Sequence, residues 1–278
     1  FSRIMDLQRI TNKTGQKTRL FNQATGALST IVLLFLIAPI FLVIVQGISY
    51  LIPCMHDEEM RFAIWLSLTT SIISTVLCLA ISLPTAIGLY RMNGLRRKVL
   101  EGLFYVPMSL PHLVTGIALL LLYGRNGIGQ FLFEHFAIDF VYTKYGIVLA
   151  QLFINLPFSI KTIMQSLDEV DQKQIFVSRT LGCTELKSFR YIVVPQIKGG
   201  IITSLIMNWA RAIGEFGAVM MLAGTTRMRT EVIPTAIFLN MSTGDIGLAL
   251  GLATILIFIS VASIVVYHIL SSKQGEFF

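Results

Sequence analysis

The sequence contains few charged residues. Only 13% of its 278 residues are Asp, Glu, Lys or Arg, whereas soluble domains carry roughly 25%. Hydrophobic residues make up 54% of the chain, and the mean hydropathy is +0.74. This composition excludes an ordinary water-soluble domain. It indicates a single helical domain embedded in a lipid bilayer.

Cysteine is also scarce. The three cysteines, Cys54, Cys78 and Cys183, lie far apart and form no CxxC or Cys/His pattern. Their spacing excludes a disulfide framework and the usual zinc sites. The sequence therefore predicts no metal site in this chain.

Catalytic and nucleotide-binding motifs are missing. The phosphate-loop pattern GxxxxGK(S/T) does not occur, and neither do HExxH, GxSxG or paired aspartates within an apolar run. The chain is therefore predicted not to be an enzyme and to bind no ATP through such a loop. A membrane-embedded enzyme, which would need a nucleophile or metal cluster at membrane depth, is one alternative. A passive channel with selectivity rings is another.

Six apolar runs are long enough to cross a bilayer, which requires about 20 residues per helix. They lie within residues 27–48, 62–90, 102–124, 145–167, 199–222 and 246–270. The sequence thus predicts an all-α membrane domain of six spans over residues 27–270, preceded by a cytoplasmic tail (1–26) and followed by a shorter one (271–278). Because no internal repeat occurs, oligomerisation is the expected way to enclose a path.

The basic residues, which give a net charge of +7, are divided unevenly between the predicted loops. Fourteen lie in the N-terminal tail, the second-to-third loop and the fourth-to-fifth loop, and five lie in the opposite loops. By the positive-inside rule, both termini of this multi-pass cell-membrane protein are predicted to be cytoplasmic. Because the charges lie in short segments between apolar runs, no nucleic-acid partner is expected.

The longest predicted cytoplasmic loop, residues 166–198, carries a spaced motif. Three residues separate Phe176-Val177-Ser178 from Gly182, and nine residues separate Gly182 from Ile192-Val193-Val194-Pro195. The pattern resembles the loop of binding-protein-dependent ABC permeases, which reads Glu-Ala-Ala, three residues, Gly, nine residues, Ile-x-Leu-Pro. Here Phe176-Val177-Ser178 replaces Glu-Ala-Ala, and Val194 replaces Leu.

The resemblance implies that this loop docks onto a separate ATPase. In the family a short helix-turn-helix sits in a groove of the ATPase, and Gly182 would supply the positive φ of its turn. An ordinary amphipathic surface loop is the alternative. The residues assigned to this coupling element are Ile175, Phe176, Val177, Ser178, Arg179, Thr180, Leu181, Gly182, Cys183, Thr184, Glu185 and Phe189.

The same resemblance implies the assembly and the cargo. A type I ABC importer permease of this kind would work as a homodimer, with two ATP-binding cassette subunits that bind ATP and magnesium and with an extracytoplasmic binding protein. This chain would need no cofactor. Residues 210–218, 221–224 and 230–238 look like segments of molybdate, tungstate and sulfate permeases. They imply oxyanion import, with molybdate or tungstate first and sulfate or thiosulfate as the alternative.

Two charges, Arg211 and Glu215, fall inside the fifth predicted span. On a continuous helix, residues four apart share a face, so the two side chains are predicted to pair. The pair is interpreted either as a structural link or as a site at which Arg211 transiently offsets the charge of an oxyanion.

Further polar residues are weighed for the path and for partner binding. His112 and Asn155 are interpreted as satisfying backbone groups freed by nearby prolines, rather than as substrate ligands. Arg227 and Arg229 in an outer loop are candidate contacts for the binding protein, with a solvated loop as the alternative. The candidate path residues are Ser109, Thr115, Asn208, Arg211 and Glu215. For Ser109, Thr115 and Asn208 an ordinary helix-packing role is the alternative.

Overall fold

The structure, a computed structural model, describes the backbone of residues 2–272 and the side chains of residues 22–270. Over these residues the chain forms helices and turns without strands, which confirms the predicted all-α class. The predicted tails, 1–26 and 271–278, lie largely outside the described side chains. The helices are α1 (Ser2–Gly47), α2 (Leu51–His56), α3 (Glu58–Tyr90), α4 (Gly94–Ser109), α5 (His112–Tyr123), α6 (Ile128–Phe136), α7 (Lys144–Asp168), α8 (Gln172–Thr180), α9 (Glu185–Ser188), α10 (Val194–Ile213), α11 (Gly217–Ala223), α12 (Ile233–Thr243) and α13 (Ile246–Ser272).

Four helical stretches in the described part of the chain are long and apolar enough to cross a membrane. They are Asn22–His56, Glu58–Tyr90, Lys144–Asp168 and Ile246–Leu270, and they correspond to the first, second, fourth and sixth predicted spans. The bent pair α4 and α5 adds a fifth if it is counted as one span. The chain is thus a multi-pass membrane protein, but the predicted number of six spans is not confirmed.

The third predicted span is not a continuous helix. α4 ends at Ser109, α5 begins at His112, and the two helices are bent by 107°. Leu110 between them is extended, with φ −82° and ψ 140°, as expected for a residue that precedes a proline. Pro111 also has no amide hydrogen to continue the helix. In the sequence this stretch is one apolar run, and apolar composition does not register the break.

The fifth predicted span is also interrupted. α10 ends at Ile213 and α11 begins at Gly217. In an unbroken helix the amide of Ala218 would donate to the carbonyl of Gly214. Instead it donates to Oε1 of the Glu215 side chain at 3.1 Å. The prediction of a continuous helix was therefore wrong for the fifth span. The first turn of α11 has a side-chain acceptor in place of a backbone carbonyl.

α3, α7 and α10 form the centre of the bundle. A buried chain of hydrogen bonds connects them, from Ser82 Oγ to Ser159 Oγ (2.6 Å), on to Ser204 Oγ (2.7 Å), and from Asn208 Nδ2 back to Ser204 Oγ (3.1 Å). Small hydroxyl side chains allow close helix approach in a membrane, and their hydrogen bonds link the helices. By contrast α1 carries a surface of exposed apolar side chains, such as Phe35 at 78% exposure, which suits contact with lipid.

Candidate functional site

The break between α10 and α11, residues 214–216, is held by a side chain from α7. Nε2 of Gln151 donates to the carbonyl oxygen of Ala212 at 2.9 Å, and Gln151 is buried. The same carbonyl also accepts from the amide of Glu215 at 3.2 Å, in a tightened bond typical of a helix end. Gln151 therefore adds a tertiary hydrogen bond to this carbonyl and links α7 to the break.

Glu215 lies within the break and contacts α5 rather than α10. Its Oε2 is 2.9 Å from Nδ1 of His112, and its side chain is 3% exposed while that of His112 is 50% exposed. Its Oε1 accepts from the amide of Ala218. The predicted pairing with Arg211 was wrong, because the helix ends at Ile213 and the two side chains no longer share a helical face.

Arg211 faces α7 and is exposed on the surface of the isolated chain. Its Nε donates to Oδ1 of Asn155 at 3.2 Å, and its guanidinium carbon lies 4.9 Å from the ring centroid of Phe158. A polar acceptor and an aromatic face thus position the cation. Arg211 has no carboxylate partner among the described side chains.

The interpretation of His112 as a partner for freed backbone groups was wrong, because the ring nitrogen faces Glu215. Asn155 does donate to a backbone carbonyl, that of Gln151 at 2.9 Å, but this carbonyl is not the one that Pro157 frees. Asn155 also accepts from Arg211. A histidine directly after Pro111, at the start of a membrane helix, was the sequence signal for the role that was missed.

α5 and α11 pack too closely to admit larger side chains at two glycines. A Cβ at Gly116 would lie 2.7 Å from Cβ of Met221 and 2.9 Å from Cα of Ala218. A Cβ at Gly217 would lie 3.0 Å from Cβ of His112. The two half-helices therefore form one close-packed unit that holds His112 beside Glu215.

The other candidate path residues lie in different surroundings. Ser109 is exposed at the bend before α5 and donates to the carbonyl of Val106 at 2.7 Å. Thr115 and Asn208 are buried, at 1% and 0% exposure. Asn208 belongs to the hydrogen-bonded chain between α7 and α10. The assignment of these three residues to a path stays a prediction.

The coupling element has the predicted helix-turn-helix form. α8 and α9 are separated by Leu181 to Thr184, and Gly182 has φ +86°, the left-handed region that favours glycine. A Cβ at Gly182 would meet no atom within 4 Å. The amide of Cys183 donates to the carbonyl of Ser178 at 3.0 Å and closes the turn. The local geometry predicted from the motif is thus present.

The tip of this element is apolar and open to solvent. Leu181 is 80% exposed, Leu186 74% and Phe176 70%, and Cys183 is the exposed one of the three cysteines. Neighbouring exposed apolar residues of this size mark a surface for a partner.

The base of the coupling element contacts the end of α3. Glu185 lies 3.5 Å from Arg91, next to α3, and 3.4 Å from Arg179 of α8. Within the element, Ser178 Oγ is 2.6 Å from Ser188 Oγ. Exposed ion pairs contribute little stability, but these contacts set the orientation of α8 and α9 relative to the end of α3.

The outer candidate Arg227 has a partner within the chain. Its Nε is 3.2 Å from Oε1 of Glu59 on α3. Beside them lies Glu231, which is fully buried. Burial and the neighbouring Glu59 carboxylate raise the pKa of Glu231 to about 7. Sequence analysis missed Glu231, although a carboxylate next to the apolar run from Val232 was a visible signal.

These features define a class of protein: a multi-pass membrane protein with a protruding helix pair that can receive a partner. The chain belongs to the family described as "Binding-protein-dependent transport system inner membrane component", whose profile matches residues 79–275. The predicted membership in the ABC permeases is confirmed.

Individual relatives agree with this family. The probable transport system permease protein NifC of Clostridium pasteurianum is 35% identical over 83% of this chain and 81% of that protein. The sulfate transport system permease protein CysT of Salmonella typhimurium is 34% identical over 67% of each chain. A probable molybdenum ABC transporter permease protein of Haloferax volcanii is 31% identical over 91% of each chain.

A solved structure agrees at the level of the fold. A chain of a bacterial ABC transporter involved in the import of the acidic polysaccharide alginate has a TM-score of 0.72, with 16% identity over 94% of this chain and 97% of the other.

Proposed function

We propose that this chain is the membrane subunit of an ATP-driven importer of molybdate or tungstate. The observation that carries the proposal is the coupling element, in which the glycine turn at φ +86° presents an exposed apolar tip. Such a tip needs a docking surface, and an ATPase supplies it. The family membership agrees with this arrangement.

The choice of an oxyanion is supported by the relatives. One is described as a molybdenum permease and another as a sulfate permease, at 31% and 34% identity. A cation at membrane depth, Arg211, suits a path for anions. Sulfate is kept as a second candidate because a sulfate permease is about as similar to this chain as the molybdenum permease is.

We assign the chain to a homodimer that binds two ATP-binding cassette subunits and receives its cargo from an extracytoplasmic binding protein. ATP and magnesium belong to the ATPases, and both termini of the permease are cytoplasmic. Arg211 supports the dimer. Its side chain is exposed on the isolated chain, and a charge left facing lipid is costly. A second copy across a two-fold axis would enclose it in a hydrated path.

The mechanism is mechanical. ATP binding closes the ATPase pair, α8 and α9 move with it, and the contact between Glu185 and Arg91 carries the displacement to α3. The unit of α5 and α11 then alternates between inward and outward opening. Arg211 offsets the charge of the passing oxyanion. The interaction must stay weak, since tight capture would stop transport.

The test is uptake by the complex of this chain with its ATPase and binding protein in liposomes. Labelled molybdate is supplied, and unlabelled tungstate or sulfate is added in increasing amounts. We expect tungstate to compete at equal concentration and sulfate only in large excess. Equal or better competition by sulfate would favour the second candidate, and the absence of uptake of any oxyanion would contradict the proposal. Native mass spectrometry should find two copies of this chain and two of the ATPase.

A further inference from the structure

A further ionisable group lies at the break between α10 and α11. His112 begins α5, half of its side chain is exposed, and its Nδ1 lies 2.9 Å from Oε2 of the buried Glu215. A buried carboxylate requires partners that stabilise its charge. Here these are the ring of His112 and the amide of Ala218. Glu215 is therefore built to hold the imidazole in one orientation.

This orientation determines which nitrogen of the ring is free. A carboxylate only accepts hydrogen bonds, so Nδ1 of His112 is the donor to Glu215. The other ring nitrogen, Nε2, has no partner among the described residues. Nδ1 is thus engaged by Glu215, and Nε2 is the ring nitrogen left to contact a passing solute.

We propose that His112 is a second anion-contacting residue of the path, that its protonated Nε2 donates a hydrogen bond to the oxyanion, and that Glu215 is its positioning residue. The inference rests on the proposed oxyanion import and adds that this contact selects fully ionised oxyanions. Fully ionised oxyanions such as molybdate and sulfate accept hydrogen bonds but cannot donate them. A neutral His112 would present a lone pair to them instead, so transport through this contact requires the protonated ring.

Glu215 also limits how tightly the anion is held. The positive charge of a protonated His112 is balanced by the carboxylate 2.9 Å away, so the oxyanion meets a directed donor with little excess charge. Arg211, held by the neutral Asn155, supplies the net charge. Weak contacts of this kind allow an anion to leave as readily as it arrives.

Other ionisable groups near α5 are engaged elsewhere. α11 carries none. On α6, Glu134 accepts from Gln130 and His135 faces the carbonyl of Phe131. On α7, Lys144 and Lys161 lie over the rings of Phe62 and Tyr105, and Asp168 pairs with Arg97. The charge that faces His112 is therefore that of Glu215.

Two substitutions distinguish the roles of the two ring nitrogens of His112. In His112→Asn the amide nitrogen can occupy the position of Nδ1 and keep the bond to Glu215, but nothing replaces Nε2. In His112→Gln the amide nitrogen reaches the position of Nε2 and supplies a donor there. His135→Asn is the matched control, because His135 also uses Nδ1 for a local bond, here to a backbone carbonyl.

The experiment measures molybdate uptake in the reconstituted complex, with the amount of assembled complex determined for each variant. We expect His112→Asn to lower uptake about tenfold, the scale of a hydrogen bond to a charged group. His112→Gln should be slower than the unchanged chain but faster than His112→Asn, because it keeps a donor at the position of Nε2. His135→Asn should behave as the unchanged chain does.

A measurement on the unchanged complex covers the case in which the variants fail to assemble. Diethyl pyrocarbonate modifies accessible imidazoles, and molybdate passing through the path should slow the modification of His112 but not of His135, as read by mass spectrometry. Equal modification with and without molybdate, or an unaltered uptake rate in assembled His112→Asn, would overturn the inference alone. Absence of oxyanion uptake by the unchanged complex would overturn the proposed function and the inference with it.

Discussion

The coupling turn and the break between α10 and α11 are both short interruptions between two helices, but different forces determine them. The coupling turn is closed by groups a few residues apart, such as the amide of Cys183 and the carbonyl of Ser178, and Gly182 provides its left-handed backbone. The break is held from other helices, by Gln151 of α7 and His112 of α5. A locally determined turn leaves a trace in a short stretch of sequence. A turn determined by tertiary contacts leaves its trace in distant residues, which can be recognised only when the fold is known.

The largest effect is expected at the coupling turn. Gly182→Glu adds a charged side chain at φ +86°, in a place that is open in this chain and faces the proposed ATPase groove. We expect membrane insertion to be retained and coupled transport to fall at least about tenfold, since the left-handed backbone costs a side chain only about 1 to 2 kcal/mol and the rest of the loss comes from docking. Gly182→Ala should be milder. Uptake and ATP hydrolysis of the reconstituted complex provide the measurement.

Gly244 is the matched control for this prediction. It has the same φ of +86°, and a Cβ there also meets no atom within 4 Å, but it lies between α12 and α13. Gly244→Glu should therefore transport nearly as well as the unchanged chain. If it lost as much transport as Gly182→Glu, backbone strain would explain both variants, and the role of the coupling tip would be contradicted.

The second prediction concerns the close packing that supports the break. Gly116→Ala forces a methyl group against Met221 and Ala218, and overpacking of this kind costs about 1 to 3 kcal/mol. We expect a lower melting temperature of the purified complex. Gly88→Ala on α3, where a Cβ would meet nothing within 4 Å, should be neutral or slightly stabilising because it restricts the unfolded chain. Equal melting temperatures for the two variants would contradict the close approach of α5 and α11.

The third prediction distinguishes the observed partner of Arg211 from the one expected on a continuous helix. Arg211→Gln combined with Asn155→Ala should show a coupling free energy of about 1 kcal/mol, because the two side chains are in contact. Arg211→Gln combined with Glu215→Gln should be additive within about 0.5 kcal/mol. Melting of all single and double variants gives both cycles. A larger coupling free energy of Arg211 with Glu215 than with Asn155 would indicate that Arg211 and Glu215 pair on a continuous helix. That result would contradict the break.

The smallest effect is expected at Glu231. As at the break between α10 and α11, the tertiary surroundings determine how this residue behaves, here through its pKa. Its pKa of about 7 in the folded protein exceeds the ordinary value of 4.5, so the folded form keeps a proton that the unfolded form has lost. Stability contributed by this group is therefore complete below about pH 4.5 and is lost as the pH rises to about 7. Glu231→Gln should flatten this part of the curve of melting temperature against pH. Glu134→Gln, at an exposed carboxylate, should leave it unchanged, and a slope that persists in Glu231→Gln would contradict the assignment.

Much of the fold could be read from the sequence because lipid imposes a simple requirement on length and polarity. Four of the predicted spans correspond to long helices. Hydropathy did not reveal the interruptions in the third and fifth predicted spans, because it counts apolar residues and does not register where a helix ends. Pro111 was a visible warning at the bend. Gly214 was a weaker one, since isolated glycines also occur within helices.

The candidate site was predictable to a smaller extent. The turn at Gly182 followed from its spacing to Pro195, because a motif of this kind encodes a local shape. Arg211 was singled out because its charge falls inside a predicted span, and its role in the path stays a prediction. Its partner was assigned wrongly because the rule for residues four apart holds only on an unbroken helix. The contact between His112 and Glu215 joins positions over 100 residues apart, and nothing local in the sequence specifies it.

The exposure of Cys183 has a practical consequence for observing this protein at work. The other two cysteines, Cys54 and Cys78, are buried, so a thiol-reactive fluorophore or spin label added to the unchanged chain should attach next to the Gly182 turn. The probe would then report directly on when the turn is covered and uncovered during a nucleotide cycle. Among the described cysteines, Cys183 thus offers the single exposed labelling site. Under the proposed function, a label there would follow the coupling element in time without first altering a residue.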